Sequence, residues 1–199
     1  THRHSSAASD VYKRQYLKLL KVISSQMSNL FQQTIFQLVI IVTSVLLSAL
    51  LLLARIPGME ILGIGPNWLL IWLVTWSSHS SIIGGLVAGL ALGLIQDAIT
   101  APYPTHIIPL VFVGFITAFL QKKRYFQEDF ISIALVTFIM AIITESFMAL
   151  QFGLVGNQSF AEVLIYHKQV ALGSAVISSL WAPILYFPFS QFWKVKKNN

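Results

Sequence analysis

The chain has 199 residues, of which 56% are hydrophobic and 10% are charged, and its mean hydropathy is +0.73. Because soluble domains carry about 25% charged residues, this composition excludes an ordinary water-soluble globular domain. The absence of cysteine excludes disulfides, thiolate metal sites and a cysteine nucleophile. Backbone groups in lipid must be satisfied within their own segment, and the apolar stretches have helix length. We therefore predict an all-α, polytopic membrane helical bundle.

The N-terminal part of the chain differs in composition from the remainder. Residues 1–15 read THRHSSAASDVYKRQ, and we interpret them as a non-native leader, with a native start near Tyr16 or Met27. Residues 16–34 form a basic membrane-proximal segment that begins YLKLLKVI. This segment either lies along the inner membrane surface or is a solvated flank that only sets the topology.

Six apolar runs come next, and together they define a transmembrane domain over residues 35–193, before a basic tail at 194–199. The second run opens with Pro66 and is short for a membrane span, whereas the sixth contains two prolines that would kink it. A loop at 153–167 separates the last two runs. We predict one membrane-spanning helix in each run, at residues 35–54, 66–76, 82–100, 107–120, 130–152 and 170–192.

The distribution of the cations predicts the orientation. Cytoplasmic loops of membrane proteins are enriched in Lys and Arg. With six spans and a cytoplasmic N-terminus, every Lys and Arg except Arg55 and Lys168 falls on the cytoplasmic side. We therefore predict that both ends are cytoplasmic. The topology determinants outside the N-terminal segment are Lys122, Lys123, Arg124, Lys194, Lys196 and Lys197.

The third run carries a stripe of glycines that ends in an acid. Gly85, Gly89 and Gly93 recur every four residues, a spacing that lets another helix backbone approach closely. Asp97 lies one further step of four along the same face, so we predict that it points into the helix packing. The glycine stripe packs either within one chain or between chains.

Glu145 is the only other acid in a predicted span, and it lies at a height in the membrane similar to that of Asp97. Ionisable groups at membrane depth are costly and therefore need a partner. We expect both acids to face one polar cavity, with His106 or Arg55 near its outer mouth. The alternative is two unrelated acids that bond to neighbouring Ser or Thr residues or extend towards water.

The sequence gives little support for catalysis, metal binding or a cofactor. The histidines lack metal-ligand spacing, and neither an HExxH nor a GxSxG pattern is present. The glycines lie inside an apolar helix without the Lys-Ser/Thr of a phosphate-binding loop. Trp68, Trp72 and Trp76 are spaced by four, which favours packing and interfacial anchoring over a ligand-binding face.

Residues 89–110, GLALGLIQDAITAPYPTHIIPL, resemble the signature of the MreD family of rod shape-determining proteins. In that family a glycine-rich helix ends in a GLxxD pattern, which Gly93, Leu94 and Asp97 match, and a histidine at the place of His106 precedes the next helix. The turn here reads APYPTH where a glycine-containing turn is common. The resemblance covers residues 35–197, and it implies no role for Glu145.

The resemblance implies a non-catalytic subunit of the bacterial cell-elongation (rod) complex in the inner membrane, which supports cell shape and peptidoglycan synthesis. Its expected partners are an MreC-like bitopic membrane protein and, through it, MreB, RodA and a class B penicillin-binding protein. No nucleic acid is expected. The alternative is a small-solute binding subunit or transporter that resembles the S components of energy-coupling-factor transporters.

Overall fold

A computed structural model describes residues 3–54, 58–60, 63–100, 103–123, 129–155 and 160–197. These residues form six helices and no strand, which confirms the prediction of an all-α helical bundle. The helices are α1 (Arg3–Ala54), α2 (Trp68–Ser77), α3 (Ile82–Ile99), α4 (Ile107–Lys122), α5 (Phe130–Val155) and α6 (Phe160–Lys197).

The chain divides into two compact units, residues 1–44 and 45–199. In the first unit the described side chains of α1 are mostly exposed, and from Ile35 onwards most of them are apolar, as expected for a helix that faces lipid. The second unit contains α2 to α6 and the candidate site. Because α1 is helical from Arg3, the backbone does not change at residues 15 or 34, and the predicted leader and basic segment remain predictions.

Four helices in the described part of the chain are long and apolar enough to cross a membrane, over residues 15–54, 82–99, 130–154 and 165–188. The other two, α2 and α4, are shorter. At about 1.5 Å per residue, α2 extends only about 15 Å of the roughly 30 Å hydrocarbon core. Nine of its ten residues are buried. It is therefore a core helix, whose short length the surrounding protein tolerates.

Two predicted boundaries are wrong. Helix α2 begins at Trp68 and not at Pro66, because the Asn67 side chain accepts the Leu70 N–H at 3.1 Å and caps the helix. The predicted loop at 153–167 is largely helical, since α5 continues to Val155 and α6 begins at Phe160. An apolar-run criterion overlooks these turns because they carry polar residues. Helix α6 continues through both of its prolines.

Within the second unit, two hairpins pack around α2. Helix α3 packs on α4, α5 packs on α6, and α2 contacts all four. A core cluster formed by α2, α5 and α6 consists of Trp68, Ile71, Ile133, Ala182 and Tyr186, with Leu51 and Leu52 of α1 packed against it. The short α2 thus contacts both hairpins in the interior of this unit.

Candidate functional site

The glycine stripe of α3 packs against α4 of the same chain. A Cβ atom added at any of its three positions would collide with the α4 backbone: at Gly85 with Gly114, at Gly89 with Leu110, and at Gly93 with Ile107. Gly114 in turn faces Gly85, so the two backbones touch where both residues lack a side chain. The small-residue spacing therefore serves close packing inside the chain.

This close packing brings the end of α3 beside the start of α4, where Asp97 binds the turn. Oδ2 of Asp97 accepts the Thr105 hydroxyl at 2.6 Å, and Oδ1 accepts the backbone N–H of His106 at 2.7 Å. Nδ1 of His106 lies 2.8 Å from the same Oδ1. The side chains of His106 and Asp97 are 14% and 12% exposed, so the cluster is nearly enclosed.

Asp97 replaces the missing N-cap of α4. His106 occupies the N-cap position, but its own side chain makes no capping hydrogen bond. The first N–H groups of a helix lack helical acceptors, and the positive end of the helix dipole stabilises an anion there. A carboxylate supplied by α3 meets both needs. The unfavourable position of Asp97 near the C-terminal end of α3 is thereby offset by the N-terminal end of α4.

Gln151 of α5 holds the same turn from the other side. Its Oε1 accepts the backbone N–H of Thr105 at 3.0 Å, and its Nε2 donates to the Thr105 carbonyl at 3.0 Å. The Tyr103 hydroxyl donates to the Gln151 carbonyl at 3.1 Å. Three helices therefore contribute to this site: α3 through Asp97, α4 through His106, and α5 through Gln151.

Glu145 has a different partner. Its Oε2 lies 3.4 Å from Nδ1 of His167 on α6, which is within ion-pair distance. The two atoms do not form a hydrogen bond of good geometry. The ring of Phe152 packs against His167 with the centroids 5.2 Å apart. The structure thus brings Asp97 and His106 together and pairs Glu145 with another histidine. A single cavity shared by the two acids remains a prediction.

The remaining predicted residues fall into two groups. Arg55 and Arg124 lie outside the described residues, and the side chains of the tail lysines are not described either. Lys122 and Lys123 are exposed at the end of α4. Trp68 and Trp72 are buried, and Trp72 stacks on Trp76 at 5.3 Å, so these tryptophans pack in the interior. The orientation of the basic segments relative to the membrane remains a prediction.

A pocket of about 240 Å³ lies near the start of α2 and the end of α3. It is mainly apolar and is lined by residues that include Leu51, Met59, Glu60 and Trp68, but not by Asp97, Glu145 or His106. Among the residues that the structure describes, no group of three His, Asp or Glu side chains is arranged to hold a metal ion.

Sequence reasoning missed Thr105, Gln151 and His167. Thr105 lies in a turn that the Pro residues predict, but nothing in the pattern shows that its hydroxyl meets Asp97. Gln151 is a polar residue near the end of an apolar run, which is the one signal that marks it. His167 lacks metal-ligand spacing, and its pair with an acid on another helix requires the packing of α5 on α6.

These features define a class: an α-helical integral membrane protein whose buried polar site holds a turn between two closely packed helices. A family model described as rod shape-determining protein MreD matches residues 32–196. The chain belongs to this family of rod shape-determining membrane proteins. No curated protein and no solved structure matches the chain significantly.

Proposed function

We propose that this chain is a non-catalytic subunit of the bacterial cell-elongation (rod) complex in the cytoplasmic membrane, where it supports peptidoglycan synthesis by binding an MreC-like bitopic partner. Through that partner it associates with MreB, RodA and a class B penicillin-binding protein. The observation that carries the proposal is the family match over residues 32–196.

The chemistry of Asp97 supports a structural role. Both of its carboxylate oxygens already accept hydrogen bonds from the turn, and the start of α4 stabilises its charge. A general acid or base needs access to a substrate proton. Here the hydrogen-bond partners of the carboxylate are groups of the turn itself, the Thr105 hydroxyl and the His106 backbone N–H. The site is therefore suited to fixing the α3–α4 hairpin.

Depletion of the protein in its host tests the proposal. Rod-shaped cells should become round or wide and lose lateral wall synthesis, and an MreC-like protein should co-purify with the tagged chain from membranes. Re-expression of the unsubstituted chain should restore cell width. Unchanged cell shape after complete depletion would contradict the proposal.

The solute-binding alternative gains no support from the pocket near the start of α2. The pocket of about 240 Å³ lacks the predicted polar residues, and ligand pockets usually measure about 300–1,000 Å³. The alternative requires a small molecule held by the purified protein. Native mass spectrometry that finds such a molecule at stoichiometric amounts would favour it over the elongation function.

A further inference from the structure

Gln151 binds the turn between α3 and α4 in a way that few side chains allow. Its carboxamide accepts from the Thr105 N–H and donates to the Thr105 C=O, both at 3.0 Å. A primary amide combines a donor and an acceptor without charge, so it pairs with a peptide group in both directions. Ala, Leu or Glu at this position would lose one or both of these bonds.

The turn needs this partner because of its place in the chain. Thr105 precedes α4, so its backbone groups lie outside the helical hydrogen-bond ladder. Asp97 takes the Thr105 hydroxyl and the His106 N–H. Gln151 takes the two backbone groups of Thr105 that Asp97 does not reach. The turn is therefore held by two helices at once.

These contacts also add a polar link between the two hairpins. Helices α3 and α4 pack densely on each other, as do α5 and α6, whereas α4 and α5 contact each other more sparsely. The chain joins α4 to α5 at one end, after Lys122. Gln151 lies near the other end of α5 and links it to the start of α4 there. The two hairpins are thus connected by the chain at one end, by the rings of Phe112 and Phe147 with centroids 5.2 Å apart, and by Gln151 at the opposite end.

We propose that Gln151 is a positioning residue: it couples the α5–α6 hairpin to the turn that Asp97 holds, so that the two hairpins present one fixed surface to the partner. This inference rests on the proposed function and deepens it. Gln151 acts through the Thr105 backbone and touches no substrate.

A distance measurement on the purified chain tests the coupling directly. The chain contains no cysteine, so spin labels attached to Ile108→Cys on α4 and Leu154→Cys on α5, both exposed positions, report only the separation of these two helix ends. In the labelled parent we expect a narrow distance distribution. Gln151→Ala should broaden it, whereas Gln169→Ala, the same chemical change at an exposed position of α6, should not.

The comparison also separates positioning from mere stabilisation. A residue that only adds stability would lower the melting temperature and leave the distribution of the folded fraction narrow, and that result would overturn the proposal. If Gln151→Ala does not fold, Gln151→Glu serves instead, because it keeps the acceptor for the Thr105 N–H and loses the donor. The Glu variant should then show a broadened distribution, and a narrow one would again overturn the coupling.

The effect on function is tested in cells that are depleted of the native protein and express each variant in the membrane at the same amount as the unsubstituted chain. Gln151→Ala should fail to restore cell width, and Gln169→Ala should restore it. Full restoration by Gln151→Ala, despite a broadened distance distribution, would refute the functional part of the inference. If depletion itself leaves cell shape unchanged, the proposed function fails, and with it the role of Gln151 in partner presentation, while the distance measurement still decides whether Gln151 couples the hairpins.

Discussion

The Asp97 carboxylate accepts the backbone N–H of His106 at 2.7 Å, so a side chain near the end of α3 caps the start of α4. Capping residues usually belong to the helix that they cap or directly precede it. Here the cap comes from the preceding helix, nine positions earlier in the chain. The arrangement depends on the close approach of the two backbones along the glycine stripe, which places the carboxylate at the turn.

Replacement of Asp97 should destabilise the hairpin. Asp97→Ala leaves the Thr105 hydroxyl and the His106 N–H without their acceptors; both donors are partly buried, so each should cost at most the roughly 1–3 kcal/mol of a fully buried unpaired donor. Asp97→Asn keeps one acceptor oxygen and should cost less than Asp97→Ala. Thermal unfolding in detergent, followed by circular dichroism, measures the difference.

Asp129 provides the matched control for the charge change. It caps α5 from an exposed position, where its Oδ1 accepts the Ser132 N–H at 3.3 Å. Asp129→Asn should change the melting temperature little, because water satisfies both groups. An equal loss of stability in Asp97→Asn and Asp129→Asn would argue against a special role for the buried carboxylate.

The glycine stripe should tolerate no side chain where α3 and α4 touch. A Cβ at Gly89 would lie 2.5 Å from the Leu110 carbonyl oxygen and 2.7 Å from the Val111 Cα. Both are backbone atoms that yield only if the helices separate, and such overpacking typically costs about 1–3 kcal/mol. We expect Gly89→Ala to lower the melting temperature of the purified protein.

Gly84 offers a control on the same helix. A Cβ there would meet serine side-chain atoms at 3.3 Å, and no α4 backbone lies nearby. Gly84→Ala should therefore have a smaller effect than Gly89→Ala, since serine side chains shift more easily than a helix backbone. Equal effects of the two substitutions would mean that helix conformation, and not interhelix contact, determines their cost.

The sequence predicted best those features for which a spacing or a run length corresponds to a single kind of structure. The four-residue spacing of Gly85, Gly89 and Gly93 marks a helix face that a backbone approaches, although the spacing alone does not identify the partner helix. The length of an apolar run locates α3 within one residue at its end, since the predicted run 82–100 compares with Ile82–Ile99. The same criterion misplaces the start of α6, because amphipathic turns are helical without being apolar.

The polar site was harder to predict because its contacts join distant residues. Asp97 and His106 are nine positions apart, and the resemblance to the MreD family marked both. Gln151 lies 46 positions from Thr105 and binds its backbone, so no side-chain pattern at the turn reveals the contact. Glu145 and His167 meet only because α5 and α6 pack as a hairpin. Hydrogen bonds between distant elements depend on how the helices pack, and the pattern of a single sequence does not specify that packing.

Double-mutant cycles will decide whether the two acids share one cavity. Asp97→Asn and Glu145→Gln have different partners, so their effects on the free energy of unfolding should add within about 0.5 kcal/mol, as for independent sites. Glu145→Gln and His167→Gln should not add, because each removes the same contact. A coupling between Asp97 and Glu145 as large as that between Glu145 and His167 would support the shared cavity and contradict the separate sites.

Thiol labelling of single-cysteine variants tests the predicted topology and the crossing by the short α2. With six spans and a cytoplasmic N-terminus, Glu60 lies outside and Lys123 inside, whereas a chain in which α2 does not cross places both on the same side. Both residues are exposed, and the parent chain has no thiol to react.

A membrane-impermeant maleimide should therefore label Glu60→Cys in intact cells and Lys123→Cys only after permeabilisation. Leu90→Cys, on the exposed apolar face of α3, should stay unlabelled in both conditions because lipid covers it. Equal labelling of Glu60→Cys and Lys123→Cys in intact cells would refute six spans, and labelling of Lys123→Cys alone would reverse the orientation.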